Sequence, residues 1–586
     1  MSEPAWTQRH RLEPTGDRTT LWRRRLSDLA AVLVFAAIAA AFYHARTAGS
    51  TPFTDLTSDA GNIASFAAAY DHPRLFEGDD LLDDPQNFKF YATIHIPVTR
   101  ALARVTGNYG DAFICMLPLE IFLHALGFYL LGIAVFRRRL WAFVFALMTL
   151  PQIRVGLGTA WGLFLDPLPR LSLTAALGFL LAAAISWRDQ PRRWPWIMLG
   201  AGALMYVHPV AAPVVGFALW LGFWVSAPRP WSVKKRVLYM FLTGLLFVAV
   251  SVPFGIIYLK NHVHGTVENY PWVMEIFRYR LAEGFLNMPK AVSEAFWKLT
   301  ISMVLPLGLI GMAVTCWVTG ASRGKLRVIG CWLAGILFVS VAVPLVEQAV
   351  ARAARDLPVE LDLVRSIRLL APIMLLLYAW GMVELAKKFQ RRLWPQPVLV
   401  ILSLLWVGYF AYQLPPGAWR NWSVPRQRRR WPGIIPRLER HMPQRPARAA
   451  HHQAVLAVRD HTPVRSRILP LGVDPLAVRY AALRPVVFND KDGACFLYAN
   501  HKKLPQWYRR SKRYRTFTEP WNRPWKQDEV TKMMEWSRQL GADFLVVART
   551  KAPNLAFPAG LDVVWSNEYY GLVRISSPRG LTATGP

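Results

Sequence analysis

Four cysteines in 586 residues are too few for a disulfide framework. Cys115, Cys316 and Cys331 fall in apolar runs and Cys495 stands alone in the tail, so the tail closes no internal bridge. None of the four has the spacing of a metal site. Also missing are a G-x-x-x-x-G-K-S/T phosphate loop, a G-x-G-x-x-G turn ahead of a helix, an H-E-x-x-H pair and a G-x-S-x-G elbow. These gaps argue against a nucleotide-driven pump, a dinucleotide enzyme, a zincin and a serine hydrolase. Acidic residues are scarce, 37 against 69 Lys and Arg, which leaves a formal net charge of +32. In a soluble protein that excess would suggest nucleic acid. Here the basic residues cluster at the ends of apolar runs, where they read as topology signals, and no nucleic-acid partner is expected.

Long apolar runs are what the sequence has in abundance. The chain is 53% hydrophobic, and runs of roughly 17 to 25 apolar residues, the length that matches a bilayer core, recur through the first 413 positions. Candidate spans cover 26–46, 112–136, 140–153, 170–187, 194–207, 209–226, 237–259, 299–319, 327–347, 367–386 and 395–413, about eleven in all by the length rule. Residues 1–25 are polar and basic, and the run after them is too long for a signal peptide, so the first helix is expected to remain uncleaved. With that N-terminus cytoplasmic, the loops at 137–139, 188–193, 229–236, 323–327 and 387–392 fall inside, and all are basic. Outside fall 47–111, 154–169, 260–298, 348–366 and everything after Pro415.

The sequence therefore predicts a polytopic α-helical membrane protein surrounded by lipid in a bacterial inner membrane. Residues 26–413 form the transmembrane domain, with 47–111 as its first periplasmic loop. A Pro-, Trp- and Arg-rich linker at 414–449 leads to a C-terminal extracytoplasmic α/β domain at 450–586. In that domain extended runs at 467–471, 485–489, 543–548, 563–565 and 571–575 accompany a helical pattern at 527–540.

The first outer loop is unusual for being acidic, with Asp55, Asp59, Asp71, Glu77, Asp79, Asp80, Asp83 and Asp84 in a strongly basic chain. Asp55 and Asp59 follow the first span at i and i+4, one face if the segment is helical. A carboxylate at the membrane surface can act as a general base or hold a divalent cation such as Mg or Mn. The bland alternative is a helix cap, because Ser58-Asp59 precedes an apolar run. The next outer segment and the helix after it supply Arg154, Asp166 and Arg170. Arginines there can meet a phosphate with two parallel donors, or simply snorkel. His208, in Tyr206-Val207-His208-Pro209, stands at a break between apolar runs, where a histidine faces a cavity or caps a turn. His72, His95, Arg365 and Arg368 complete the candidates, the last two as further phosphate ligands. A basic stretch at 509–515 either grips an anionic acceptor or lies solvated at the interface.

This layout resembles the integral-membrane glycosyltransferases of the GT-C fold. The likeness rests on Asp55 and Asp59 just after the first helix, on His208-Pro209 within GALMYVHPVAAP, and on the tail pattern 540–547 followed by 567–575. Many members of that class carry an Asp-Glu pair in this first loop, where the present sequence has Asp55-Leu56 and Asp59-Ala60. The resemblance implies a polyprenyl-phosphate-linked sugar donor, an envelope glycan, lipid or protein as acceptor, and Asp55 or Asp59 as catalytic base. A non-catalytic scaffold and a lipid or polysaccharide transporter are the competing expectations.

Overall fold

A computed structural model describes residues 18–575 except 49–50, 57, 157, 263–269, 281–285, 319–322, 357–361, most of 390–444, 519–526 and 549–561. Most of the eleventh expected span and nearly all of the linker lie outside the described residues.

The chain is a helical membrane protein. Six of its described helical stretches are long and apolar enough to cross a bilayer: Trp22–Thr47, Tyr109–Phe136, Pro169–Ser186, Val233–Asn261, Gly324–Ala354 and Leu363–Lys388. A seventh arises if Met288–Ile301 and Val304–Val318, bent by 70° at the junction, count as one span. The expected spans at 140–153 and 209–226 appear as the short apolar helices Arg139–Thr149 and Ala212–Ser226. That at 194–207 becomes Trp194–Ala203 followed by a 3-10 turn. Leu204–Tyr206 and then Pro209 interrupt the apolar run there, so hydropathy carries on where the helix does not.

The helices are α1 Arg18–Thr47, α2 Ser58–Asp71, α3 His95–Thr106, α4 Tyr109–Ile114, α5 Leu117–Phe136, α6 Arg139–Thr149, α7 Pro169–Ser186, α8 Trp194–Ala203, α9 Ala212–Ser226 and α10 Val233–Asn261. They continue with α11 Tyr270–Arg280, α12 Met288–Ile301, α13 Val304–Val318, α14 Arg323–Leu337, α15 Val343–Ala354 and α16 Leu370–Lys388. Helix α16 is the central post, buried along nearly its whole length, whereas α1 and α10 show most of their apolar surface to the lipid side. Small residues let backbones meet, as membrane helices require. A Cβ on Gly381 of α16 would lie 2.6 Å from the Gly311 carbonyl oxygen of α13, and one on Gly178 of α7 would lie 2.5 Å from the Gly127 backbone of α5. A π-turn at Phe338–Ala342 joins α14 to α15 just before Pro344, whose missing N–H breaks the regular ladder.

Two extra-helical layers complete the fold. Strands β1 Ile153–Gly156 and β2 Thr159–Trp161 form a hairpin against α12 and the 3-10 segment Leu363–Leu369. The C-terminal part contains α17 Arg445–His461, β3 Ile468–Pro470, α18 Pro475–Tyr480, α19 Gly493–Ala499, α20 Leu504–Thr518, α21 Gln527–Gln539, β4 Phe544–Ala548, β5 Asp562–Ser566 and β6 Tyr570–Arg574. Its sheet has the order β3-β4-β6-β5, with β3 parallel to β4 and the other pairs antiparallel. The expected run at 485–489 contributes a single bridge, Val486 to Ile468.

The first long loop and the C-terminal part are packed together. Helix α2 lies on α18, so close that a Cβ on Gly61 would sit 2.9 Å from Leu476. At this junction the guanidinium of Arg479 is fully buried between the carboxylates of Asp79 and Asp492, each within 2.7 Å.

Candidate functional site

Helix α2 begins at Ser58, and Asp55 precedes it in a non-helical segment, so the two first-loop carboxylates do not share a helix face. They serve different networks. Arg46, at the end of α1, donates to Asp55 at 2.8 Å and to Asp166 at 3.0 Å. Arg448 of α17 lies 3.0 Å from the same Asp55 oxygen. Burial would raise the Asp55 carboxyl, but Arg46 and Arg448 hold it below the usual range. Asp55 and Asp166 thus tie α1, the loop before α7 and α17 into one joint.

Asp59 stands in the first turn of α2 and points elsewhere. Arg170, from the first turn of α7, donates to its Oδ2 at 3.0 Å, and Lys491, from the turn ahead of α19, donates to its Oδ1 at 3.0 Å. The Lys491 ammonium, and after it Arg170, hold the Asp59 carboxyl well below the ordinary range against the cost of burial. The side chain keeps 37% of its exposure, so it is reachable.

Beyond Arg170 a basic cluster forms around the entrance to α16. Arg365 lies 3.0 Å from Asp362, and Arg170 and Arg365 both contribute to the field at Arg368 and at His208. Arg368, only 2% exposed, donates from Nη1 to Thr159 of β2 at 3.0 Å, while its Nε has no hydrogen-bond partner among the described residues. The Oδ1 atom of Asp362 is likewise buried without one. Burial pushes the Asp362 carboxyl up to about 6, against the pull of Arg365, Arg368 and Arg170.

His208 is held by the break that the sequence marks. Its Nδ1 lies 3.2 Å from the backbone nitrogen of Ala211, on the side of the ring away from Nε2. That Nε2 faces the Arg368 guanidinium at 3.5 Å. The unused donor at this place is the buried Nε of Arg368, and an anion beside it would satisfy it.

The other sequence candidates lie apart. Arg154 extends an exposed side chain from β1. His72 is exposed beyond the end of α2, edge-on to Tyr109. His95, at the start of α3, sits 2.7 Å from the Ser172 hydroxyl, which donates to buried Glu120. This is not a nucleophile triad, because Glu120 meets the serine and lies 3.6 Å from the same imidazole nitrogen, Nε2, instead of orienting the far one, Nδ1, which faces Thr93 at 3.0 Å. The basic stretch in α20 is largely paired: Arg510 with Asp80, Arg515 with Asp490 and Lys512 with Glu275.

Sequence reasoning missed Lys491, Arg46, Arg448 and Arg479, all of which act through partners distant in the chain. Among the described residues no three His, Cys, Asp or Glu side chains are grouped to share a metal ion. The Asp59 oxygens meet cations already, so this donor set suits an anion better than Mg or Mn. An apolar groove of about 290 Å³ lined by Met312, Leu326, Ile329 and Leu333 is separate, and no residue of the cluster lines it. No protein-family model matches the chain, and no curated protein matches it either.

Proposed function

We propose that the protein transfers a sugar from a polyprenyl-phosphate-linked donor to an envelope acceptor, in the manner of the GT-C glycosyltransferases its sequence resembles. The observation that carries this reading is the convergence of one reachable carboxylate, Asp59, with Arg170, Arg365, Arg368 and His208, whose unused buried donor is the Nε of Arg368. A phosphate ester supplies the anion such a cluster lacks.

In this reaction the acceptor hydroxyl attacks the anomeric carbon while the bond from that carbon to the phosphate oxygen breaks. The bonding pair leaves with the polyprenyl phosphate, whose charge grows by one as it departs. Arg170, Arg365, Arg368 and His208 stabilise that charge, and Asp59 takes the hydroxyl proton. No step is routed through a divalent cation. The finer topology belongs to the same reading: about eleven membrane passages by length, a cytoplasmic N-terminus, and the site and a C-terminal α/β domain on the outer face of a bacterial inner membrane.

Reconstitution with decaprenyl-phosphate-linked sugars tests it. Transfer by the wild-type protein and its loss in D59N is the expected result. A D59N variant as active as wild type would remove the base from the scheme. Asp59 paired to two cations also suits a scaffold, which the same assay would reveal as inactivity of the wild type across all donors.

A further inference from the structure

Lys491 belongs to a turn whose other charges are already consumed within the C-terminal part. Asp490 pairs with Arg515 and accepts the Ser511 hydroxyl, and Asp492 is spent on buried Arg479. The backbone is fixed as well: Asn489 accepts the Lys491 N–H at 3.1 Å and donates its own amide to Asp492 at 2.8 Å. From this rigid turn the Lys491 ammonium reaches 3.0 Å from Asp59, on the carboxylate oxygen that Arg170 leaves.

The charge around this contact is unbalanced. Arg170 and Arg365 act on Asp59, Arg280 acts on Lys491, and Arg368 lies beyond. The Nε of Arg280 is buried with no partner among the described residues. Facing these cations are Asp59 and Asp362, with Asp474 near Lys491 and Glu347 near Asp362. Among the described residues five cations face four carboxylates, and the Nε atoms of Arg280 and Arg368 are buried donors without a partner.

A carboxylate held between an ammonium and a guanidinium is a weak base. The phosphodiester of the donor brings two non-bridging oxygens, and the released monoester three, and both compete with Asp59 for the same donors. We propose that Lys491 is a phosphate-contacting residue contributed by the C-terminal part, and that a bound lipid phosphate takes Lys491 and Arg170 from Asp59, releasing the carboxylate. Resting on the transferase reading, this makes the base competent only in the donor-loaded state, so donor binds before acceptor. The C-terminal part is then a component of the site as well as a cover over it.

The test uses the purified full-length protein in nanodiscs and measures binding of decaprenyl phosphate and, separately, of inorganic phosphate. Exchange predicts opposite signs: D59N removes the competitor and tightens decaprenyl phosphate by about tenfold, whereas K491M weakens it by about tenfold, the scale of one charge-assisted hydrogen bond. The gain from D59N disappears in the D59N/K491M double variant and persists in D59N/K491R. Should K491M fail to fold, the D59N and D59N/K491R pair still decides the sign. Wild-type binding left within about twofold by both single substitutions overturns the exchange and leaves the lipid-phosphate site standing. Absent decaprenyl phosphate binding, or inorganic phosphate bound as tightly, overturns the transferase reading and the exchange with it.

Discussion

Replacing Arg479 by Met tests whether the first long loop and the C-terminal part are one cooperative unit. Its guanidinium donates to Asp79 at 2.9 and 2.7 Å and to Asp492 at 2.8 and 2.7 Å, and all three side chains are fully buried. Asp79 is meanwhile fixed by the backbone N–H groups of Leu81, Leu82 and Val486. It therefore cannot turn to solvent when its partner is lost. Removing one member of a buried ion pair costs about 3–5 kcal/mol, because the abandoned charge stays buried. Here two carboxylates are abandoned side by side, which puts the loss at or above that range. For a unit of this size the loss lowers the melting temperature on the order of 10 °C. Intrinsic-fluorescence melting of the purified protein measures it, and limited proteolysis shows whether the first loop becomes cleavable. The triple variant R479M/D79N/D492N removes the stranded charges and should recover a large part of the loss. If R479M melts within about 2 °C of wild type, the shared-unit argument is wrong.

The two first-loop carboxylates should separate cleanly. D59N is expected to abolish transfer while leaving the melting temperature close to wild type. D55N strands part of the Arg46 and Arg448 charge and should cost about 1–3 kcal/mol of stability while each folded molecule keeps its activity. R368Q keeps an amide near Thr159 but loses the buried Nε donor, so decaprenyl phosphate should bind at least about tenfold more weakly, by equilibrium titration in nanodiscs. Asp362 gives a pH signature. Its carboxyl is raised in the folded protein to about 6, so its contribution is fully present below the unfolded value and is lost as pH rises through about 6. Stability should fall by about 1 kcal/mol between pH 5 and 7.5 on its account, and D362N should flatten that part of the melting profile.

Much of the fold was legible because lipid imposes a local rule. An apolar run of sufficient length with basic ends marks a helix whatever surrounds it, and the long helices α1, α5, α7, α10 and α16 fall within or across runs read from hydropathy. The rule weakens where the backbone breaks inside an apolar run. Nothing in hydropathy distinguishes the 3-10 turn at Leu204–Tyr206 from a continuing helix; only Pro209 signals it. The C-terminal strands were legible for a similar reason, since alternation of side chains and flanking turn residues are local properties. The run at 485–489 looked equally strand-like and became one bridge, because its partner edge is short.

The site divides along the same line. Residue types were readable one at a time: an acid after the first helix, arginines at helix entrances, a histidine at a proline break. Pairing was not, because it depends on contacts across hundreds of residues. Asp55 and Asp59 look alike in the sequence, four positions apart and both acidic. What separates them is that Arg46 and Arg448 converge on the first while Arg170 and Lys491 converge on the second. The first pair comes from the end of α1 and from α17 and welds a joint; the second comes from the mouth of α7 and a turn in the C-terminal part and leaves the Asp59 side chain 37% exposed. Lys491 stands between two aspartates, where sequence alone makes it an unremarkable surface charge. Folding turns both aspartates inward to arginines of their own part and leaves the lysine facing Asp59. The contact that sets Asp59 apart from Asp55 therefore comes in part from a residue that local sequence gives no reason to choose, and the phosphate-binding experiment on Lys491 bears on the site as much as any substitution of Asp59.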